Sequence, residues 1–108
     1  LKALEDDDPS VRSAVVEALD KIFTSEAGPL HVALQSSHLD LRVRAAELLA
    51  ERRDERIIDP MQVLILDKEL HLRIGPMFAL ALRRRAATAL ANLGTPRLLR
   101  WFATVLLL

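Results

Sequence analysis

The chain lacks cysteine and tyrosine altogether, and among its 108 residues it has only three glycines, three phenylalanines and one tryptophan. The absence of cysteine excludes disulfides and thiolate metal or redox sites. Three glycines are too few for a glycine-rich phosphate loop. No apolar run approaches the ~18–20 residues that a membrane helix needs, and no secretory segment opens the chain. We therefore expect a cytoplasmic protein that does not act in a membrane.

What the chain does contain is typical of one globular domain spanning 1–108, because 51% of it is apolar and 28% is charged. It begins with Leu1 instead of a start methionine, so we expect a piece of a longer protein. All 15 acidic residues lie within 1–69, whereas 70–108 contains six arginines and no acid. Such asymmetry is typical of an anionic partner or of self-association, unless flanking segments balance it.

An internal repeat is the main signal. A shift of 30 residues places Arg12 on Arg42 and Glu17 on Glu47, and a further shift of 41 places Arg42 on Arg83. The register breaks once, by 11 residues, between Asp67 and Ala81. We predict three units at about 1–27, 28–53 and 54–93, with an insertion near 68–80, followed by a last helix at 95–108.

Each unit has helical periodicity. Val11, Val15, Ala18, Leu19 and Ile22 share one face of a helix, and no alternating run predicts a strand. Asp8-Pro9 and Thr95-Pro96 are typical helix starts, and Gly94 is a typical C-cap. The sequence therefore predicts an all-α fold, with helical segments at 1–5, 9–23, 28–36, 38–53, 55–68, 76–93 and 95–108. The sixth segment is either one long helix or a turn followed by a helix from Leu80.

The repeats carry recognisable motifs. These are the acidic stretch from Leu4 to Arg12, Leu41-Arg42-Val43-Arg44-Ala45-Ala46-Glu47-Leu48-Leu49, and the run from Arg83 to Leu90. At these residues the chain resembles the HEAT-repeat family, particularly the bacterial PBS-lyase-like type, in which an A helix, an acidic loop and a B helix form each unit. The resemblance covers nearly the whole chain except about 68–80.

The resemblance implies a right-handed α–α superhelix, that is, a HEAT-like solenoid of about three helical hairpins. It also implies a non-catalytic scaffold that binds a protein partner, whose identity the motifs do not give. In the family, a loop aspartate six residues before the B-helix arginine pairs along the stack, which would join Asp6 to Arg12. Ser36 and Met77 stand at the matching positions of the later units.

Two sets of residues are candidates for the binding surface of such a scaffold. The first is the ridge of B helices, and the second is the insertion, since insertions in repeat proteins often lie on the binding face. The candidates are Ser13, Glu17, Val43, Glu47, Arg84 and Thr88 on the ridge, with Met77 and Phe78 in the insertion. Met77 and Phe78 either form an adaptable apolar contact or fold back as extra core.

An alternative function is binding of an anion or of the phosphate backbone of a nucleic acid through Arg44, Arg84 and Arg85. Against it stands the prediction that the arginines pair with carboxylates of the neighbouring repeat, namely Glu47, Glu51, Glu55 and Asp59. The last helix is apolar, with Trp101, Phe102 and Leu106 among its residues. Either a further repeat follows it in the parent protein or it docks on another chain, which includes self-association.

Catalytic patterns are scarce in this sequence. None of His31, His38 and His71 is followed by glutamate, as the His-Glu pairs of HEAT proteins resembling deoxyhypusine hydroxylase require. The serines have no Gly-x-Ser-x-Gly context. We expect no enzyme, no metal and no cofactor. A chaperone or lyase for a bound pigment is a third possibility, suggested only by the name of the subfamily.

Overall fold

The computed structural model describes residues 2–106, and the side chains of 3–105, and within that range it is entirely helical, without a strand. The all-α class is therefore confirmed, with 80% helix. Short 3-10 turns lie at Lys2–Glu5 and Glu55–Ile57. The α-helices are α1 (Pro9–Ile22), α2 (Gly28–Ala33), α3 (Leu39–Glu51), α4 (Ile58–Leu66), α5 (Leu70–Ile74), α6 (Pro76–Leu93) and α7 (Pro96–Leu106).

Most helix ends follow from local chemistry. The Asp8 carboxylate accepts a hydrogen bond from the Ser10 amide at 2.8 Å, and Pro9 begins α1. Gly94 ends α6 with φ of 66°, the left-handed conformation that glycine adopts at little cost. Arg53, just after α3, adopts the same conformation with φ of 59°, although this conformation is sterically less favourable for a residue with a side chain than for glycine.

The insertion near 68–80 contains a helix that the sequence did not predict. α5 occupies Leu70–Ile74, and Leu70 is fully buried. α6 then begins at Pro76 and runs unbroken to Leu93, which is the first of the two predicted alternatives. Gly75 joins the two helices with φ of 86°.

The core is built around α3 and α6. Helix α3 packs against α1, α2 and α6, while α6 also packs against α4 and α5 and, less extensively, α7. The result is a slab with extents of 40 × 33 × 16 Å. Leu41, Val43 and Leu49 of α3 are essentially inaccessible, as are Leu30 of α2 and Leu90 of α6.

One predicted apolar face is largely exposed. On α1, Val11 is 38% exposed and Ile22 is 69% exposed, although Leu19 is buried. Leu41 and Leu82, the repeat equivalents of Val11, are buried. The reason is that α3 lies beside α1, and α6 lies beside α3, so each has a long helix before it. In the described chain α1 is preceded by the short 3-10 turn at Lys2–Glu5, which packs on α1 but is too short to cover this face.

Candidate interaction surface

Two glutamates and two arginines form a chain of ion pairs across α1, α3 and α6, which we call the ion-pair ladder. Arg44 Nε lies 2.6 Å from Glu17 Oε1, and Arg44 Nη1 lies 3.4 Å from Glu47 Oε1. Arg85 Nε and Nη2 contact the two oxygens of Glu47 at 3.1 and 2.7 Å. Glu17 and Glu47 are repeat equivalents, as are Arg44 and Arg85. The same pair therefore recurs between successive long helices.

The electrostatics of the ladder favour its charged state. Burial lowers the pKa of the Arg44 guanidinium, but the hydrogen bond and charge of Glu17 outweigh burial and raise the pKa overall. The paired hydrogen bonds with Glu47 raise the pKa of Arg85, against a smaller opposing effect of burial. Partly exposed pairs of this kind contribute about 0.2–1 kcal/mol each to stability.

The eight residues predicted to bind protein lie in three environments. Those open to solvent are Ser13, Met77, Phe78, Arg84 and Thr88, whereas Glu17 and Glu47 are half-buried in the ladder. Val43 is fully buried, which corrects its placement on the surface. Its burial follows from the position of α3 between α1 and α6, since both flanks of that helix are covered.

The three arginines of the alternative anion site are not equivalent. Arg44 and Arg85 are held by carboxylates of the ladder. Arg84 is exposed and forms no ion pair with any residue that the structure describes. Of the carboxylates predicted as partners, Glu47 takes that role. In the described chain Glu51, Glu55 and Asp59 are exposed and form no ion pair.

A second recurring contact joins the long helices to the segments before them. Arg12 Nη1 donates to the Asp6 carbonyl oxygen at 2.7 Å, and Arg42 and Arg83 donate to the carbonyl oxygens of Ser36 and Asp67. Arg12 thus bonds the backbone of Asp6, and the carboxylate nearest to Arg12 belongs to another residue.

That carboxylate is Asp40, whose oxygens lie 3.4 Å from Arg12 Nη2. The Asp6 carboxylate instead accepts from the Asp8 amide at 2.8 Å. Arg12 is only 7% exposed, so it links the acidic loop before α1 to the first turn of α3 through a buried guanidinium.

A groove of about 440 Å³ opens beside this contact, where α1, α3 and α6 begin. Its lining is mainly apolar and comes from α1, α3, α5 and α6, with Phe78 on one side and Asp40 among the polar groups. The lining residues are Pro9, Arg12, Ser37, His38, Leu39, Asp40, Ile74, Phe78 and Leu82. We call this the start groove. A neighbouring cavity of about 420 Å³ shares Ser37 and Leu39 with it and extends toward α4.

The insertion supplies both core and surface. Leu70 and Ala79 are buried, whereas Met77 is 80% exposed and Phe78 is 71% exposed. Of the two predicted alternatives for Met77 and Phe78, the structure places these side chains at the surface, and Phe78 lines the start groove.

The last helix packs on the core through Leu98, Trp101 and Phe102. Leu98 is buried, whereas Leu99 is 64% exposed. Trp101 and Phe102 are half-buried and meet edge to face, with ring centroids 5.1 Å apart. The side chain of Leu106, the third residue predicted for self-association, lies outside the described residues.

Two of the three histidines, His31 and His38, make contacts between elements. His31 Nε2 lies 2.7 Å from Asp54 Oδ2, and its Nδ1 lies 2.9 Å from Arg56 Nη1, so the ring ties α2 to the turn after α3. His38 lies 3.5 Å from Glu5, and His71 is exposed. Across the described residues, no three His, Asp or Glu side chains are grouped as a metal site. None of the described helices is long and apolar enough to cross a membrane.

Comparison with protein-family profiles, with curated proteins and with solved structures gave no match.

Proposed function

We propose that this chain is a non-catalytic module of the HEAT-repeat type that binds a partner protein. In this proposal the units 1–27, 28–53 and 54–93 stack as a right-handed solenoid, with α1, α3 and α6 as successive B helices. The ordered packing of α1 on α3 and of α3 on α6 supports this arrangement. So does the recurrence of the ladder and of the arginine–carbonyl contact at equivalent positions.

The observation that carries the binding function is the exposure of Met77 and Phe78 at the start of α6. Two adjacent large apolar side chains exposed to water, one of which, Phe78, lines an apolar groove, are typical of an interaction site. A partner that covers them gains the apolar burial that the fold itself does not provide. The exposed ridge residues Ser13, Arg84 and Thr88 extend the available surface along α1 and α6.

Anion or nucleic-acid binding receives less support from the geometry. Two of its three arginines, Arg44 and Arg85, already have carboxylate partners at hydrogen-bond distance. A phosphate would have to displace Glu17 and Glu47 or bind through Arg84. We therefore keep protein binding as the proposed function and let the experiment distinguish the two.

The experiment is affinity capture from a lysate of the source organism, with and without nuclease, followed by mass spectrometry. We expect a discrete, stoichiometric protein partner whose capture survives nuclease treatment. Loss of all captured material after nuclease treatment would contradict the proposal and favour nucleic-acid binding through the three arginines. The triple variant Arg44→Glu, Arg84→Glu and Arg85→Glu then tests that alternative, with circular dichroism as the check on folding because it also breaks the ladder.

A further inference from the structure

The start groove combines an apolar wall with an acidic border. Its apolar residues are Pro9, Leu39, Ile74, Phe78 and Leu82. Phe78 is 71% exposed, so its ring is available to a ligand that enters the groove. On the other side of the groove, Pro9 follows directly on three consecutive aspartates.

The charges within the groove nearly cancel. Asp40 of the lining is offset by Arg12, whose side chain is 8% exposed and lies 3.4 Å away. Arg85 lies beside Asp40 as well, and Arg42 and Arg73 line the neighbouring cavity.

The rim of the groove before Pro9 is acidic. Asp6, Asp7 and Asp8 are exposed and form no ion pair within the described chain. Glu5, next to them, lies 3.5 Å from His38, which is a cation only when protonated. The negative charge is therefore concentrated on this rim.

Helix dipoles act in the opposite direction. α1, α3 and α6 all begin at the groove, and each start is equivalent to about +0.5 of an elementary charge. At α1 this positive end is met by the Asp8 carboxylate, which bonds an amide in the first turn. Asp6 and Asp7 remain as exposed carboxylates without an ion pair in the described chain, on the rim of an apolar groove.

We infer that the start groove binds a peptide segment of a partner protein that presents a large apolar side chain flanked by lysine or arginine. The apolar side chain packs against Phe78 and Leu82, while the cations lie near Asp6 and Asp7. This inference rests on the proposed protein-binding function and specifies where the partner contacts the chain and with what chemistry. The matching charges raise the association rate and select against acidic segments.

The test is selection of a random 12-residue peptide library against the full chain. We expect the enriched sequences to combine Leu, Ile, Met, Phe or Trp with Lys or Arg and to be net positive. The affinity of a synthesised enriched peptide, measured by fluorescence anisotropy, should fall at least tenfold with Phe78→Ser and several-fold with Asp7→Lys. Both side chains are exposed, so neither substitution removes core packing.

Matched control variants lie at the far ends of the same helices. Ile22→Ser removes an apolar side chain that is 69% exposed at the end of α1, and Glu51→Lys reverses an exposed charge at the end of α3. We expect both to leave the affinity within twofold. Enrichment of acidic peptides, no enrichment at all, or equal affinity for Phe78→Ser would overturn the inference.

Two further outcomes separate this inference from the proposed function. If the captured protein partner still binds Phe78→Ser and Asp7→Lys, the partner uses another surface, and the inference fails while the proposed function stands. If peptides enrich as expected but no protein partner is captured, the proposed function fails instead. A concentration-dependent dimer in analytical ultracentrifugation that Phe78→Ser dissociates would overturn the inference in favour of a second copy as the occupant.

Discussion

The guanidinium of Arg83 in α6 donates a hydrogen bond to the backbone carbonyl of Asp67, which follows α4, across the inserted helix α5. Arg12 makes the corresponding contact with Asp7 at 3.1 Å, and Asp67 is the repeat equivalent of Asp7. The contact therefore recurs even though additional residues separate donor and acceptor in the later unit. The inserted residues therefore leave intact the hydrogen bond that connects α6 to the segment following α4.

Replacing Arg83 should weaken that attachment. We expect Arg83→Ala to lower the free energy of unfolding by about 1.5–3 kcal/mol, because a hydrogen bond from a charged group to a partly buried carbonyl is lost. Amide hydrogen exchange in α5 should accelerate as well. The neighbouring variant Arg84→Ala is the control, since Arg84 is exposed, and it should change stability by no more than about 0.5 kcal/mol. Equal effects of the two variants would contradict this role of Arg83.

The ladder should depend on Glu47, which contacts both arginines. We expect Glu47→Gln to lower the free energy of unfolding by about 0.5–2 kcal/mol, because two partly exposed ion pairs weaken together. Urea denaturation at low and high salt measures the effect, which should shrink in 1 M salt as charges are screened. Glu51→Gln, on the same helix and in no ion pair within the described chain, should be nearly neutral. A salt-independent loss for Glu47→Gln would argue for a packing effect instead.

The left-handed cap at Gly94 should resist substitution. A side chain at φ of 66° is strained, so we expect Gly94→Ala to destabilise the chain by about 1 kcal/mol in thermal or urea unfolding. Gly28→Ala is the matched control, because an added Cβ there meets nothing within 4 Å and no positive φ is involved. A loss for Gly28→Ala as large as that for Gly94→Ala would contradict the conformational explanation.

Stability should fall at acid pH partly through Asp54. Burial raises the pKa of this carboxyl, but the Arg56 amide and the His31 ring outweigh burial and lower it overall. A lowered pKa means that the carboxylate stabilises the fold above its unfolded-state pKa, about 3.9, and that this contribution is lost as pH falls through the folded value. We expect Asp54→Asn to reduce the pH dependence of the unfolding free energy below about pH 4. If the unfolding free energy of Asp54→Asn depends on pH as steeply as that of the unchanged chain, other carboxyls account for the loss of stability at acid pH.

Local chemistry made much of the fold predictable. Asp8-Pro9 and Gly94 marked helix ends correctly, because caps depend on neighbouring residues in the chain. Helix α5 was missed, because five residues in a segment outside the repeat register carry too little periodicity. Its formation depends instead on burial of Leu70 against the rest of the molecule.

The site was only partly predictable for a different reason. A helical pattern shows which residues share a face but not whether another helix covers that face. For this reason Val43 was predicted at the surface although it is buried, and Ile22 was predicted on the core face although it is exposed. Glu47 was predicted to pair with an arginine, and it does. The ion pair of Glu17 with Arg44 was not predicted, because it depends on the packing of α1 beside α3. The Arg12–Asp40 contact likewise joins residues of different units and leaves no signature in either one alone.

The enclosure of α3 and α6 has a consequence for unfolding. α3 packs against α1, α2 and α6, and α6 packs against α3, α4 and α5, so each of these two helices keeps contacts when a peripheral element detaches. α1, by contrast, packs against α2, α3 and the short turn at Lys2–Glu5, and α7 packs only lightly on α6. Amide protection should therefore be higher in α3 and α6 than in α1 and α7, and proteolytic cleavage should begin in those outer helices. The chain then loses its structure in stages from both ends, with α3 and α6 as the last elements to open.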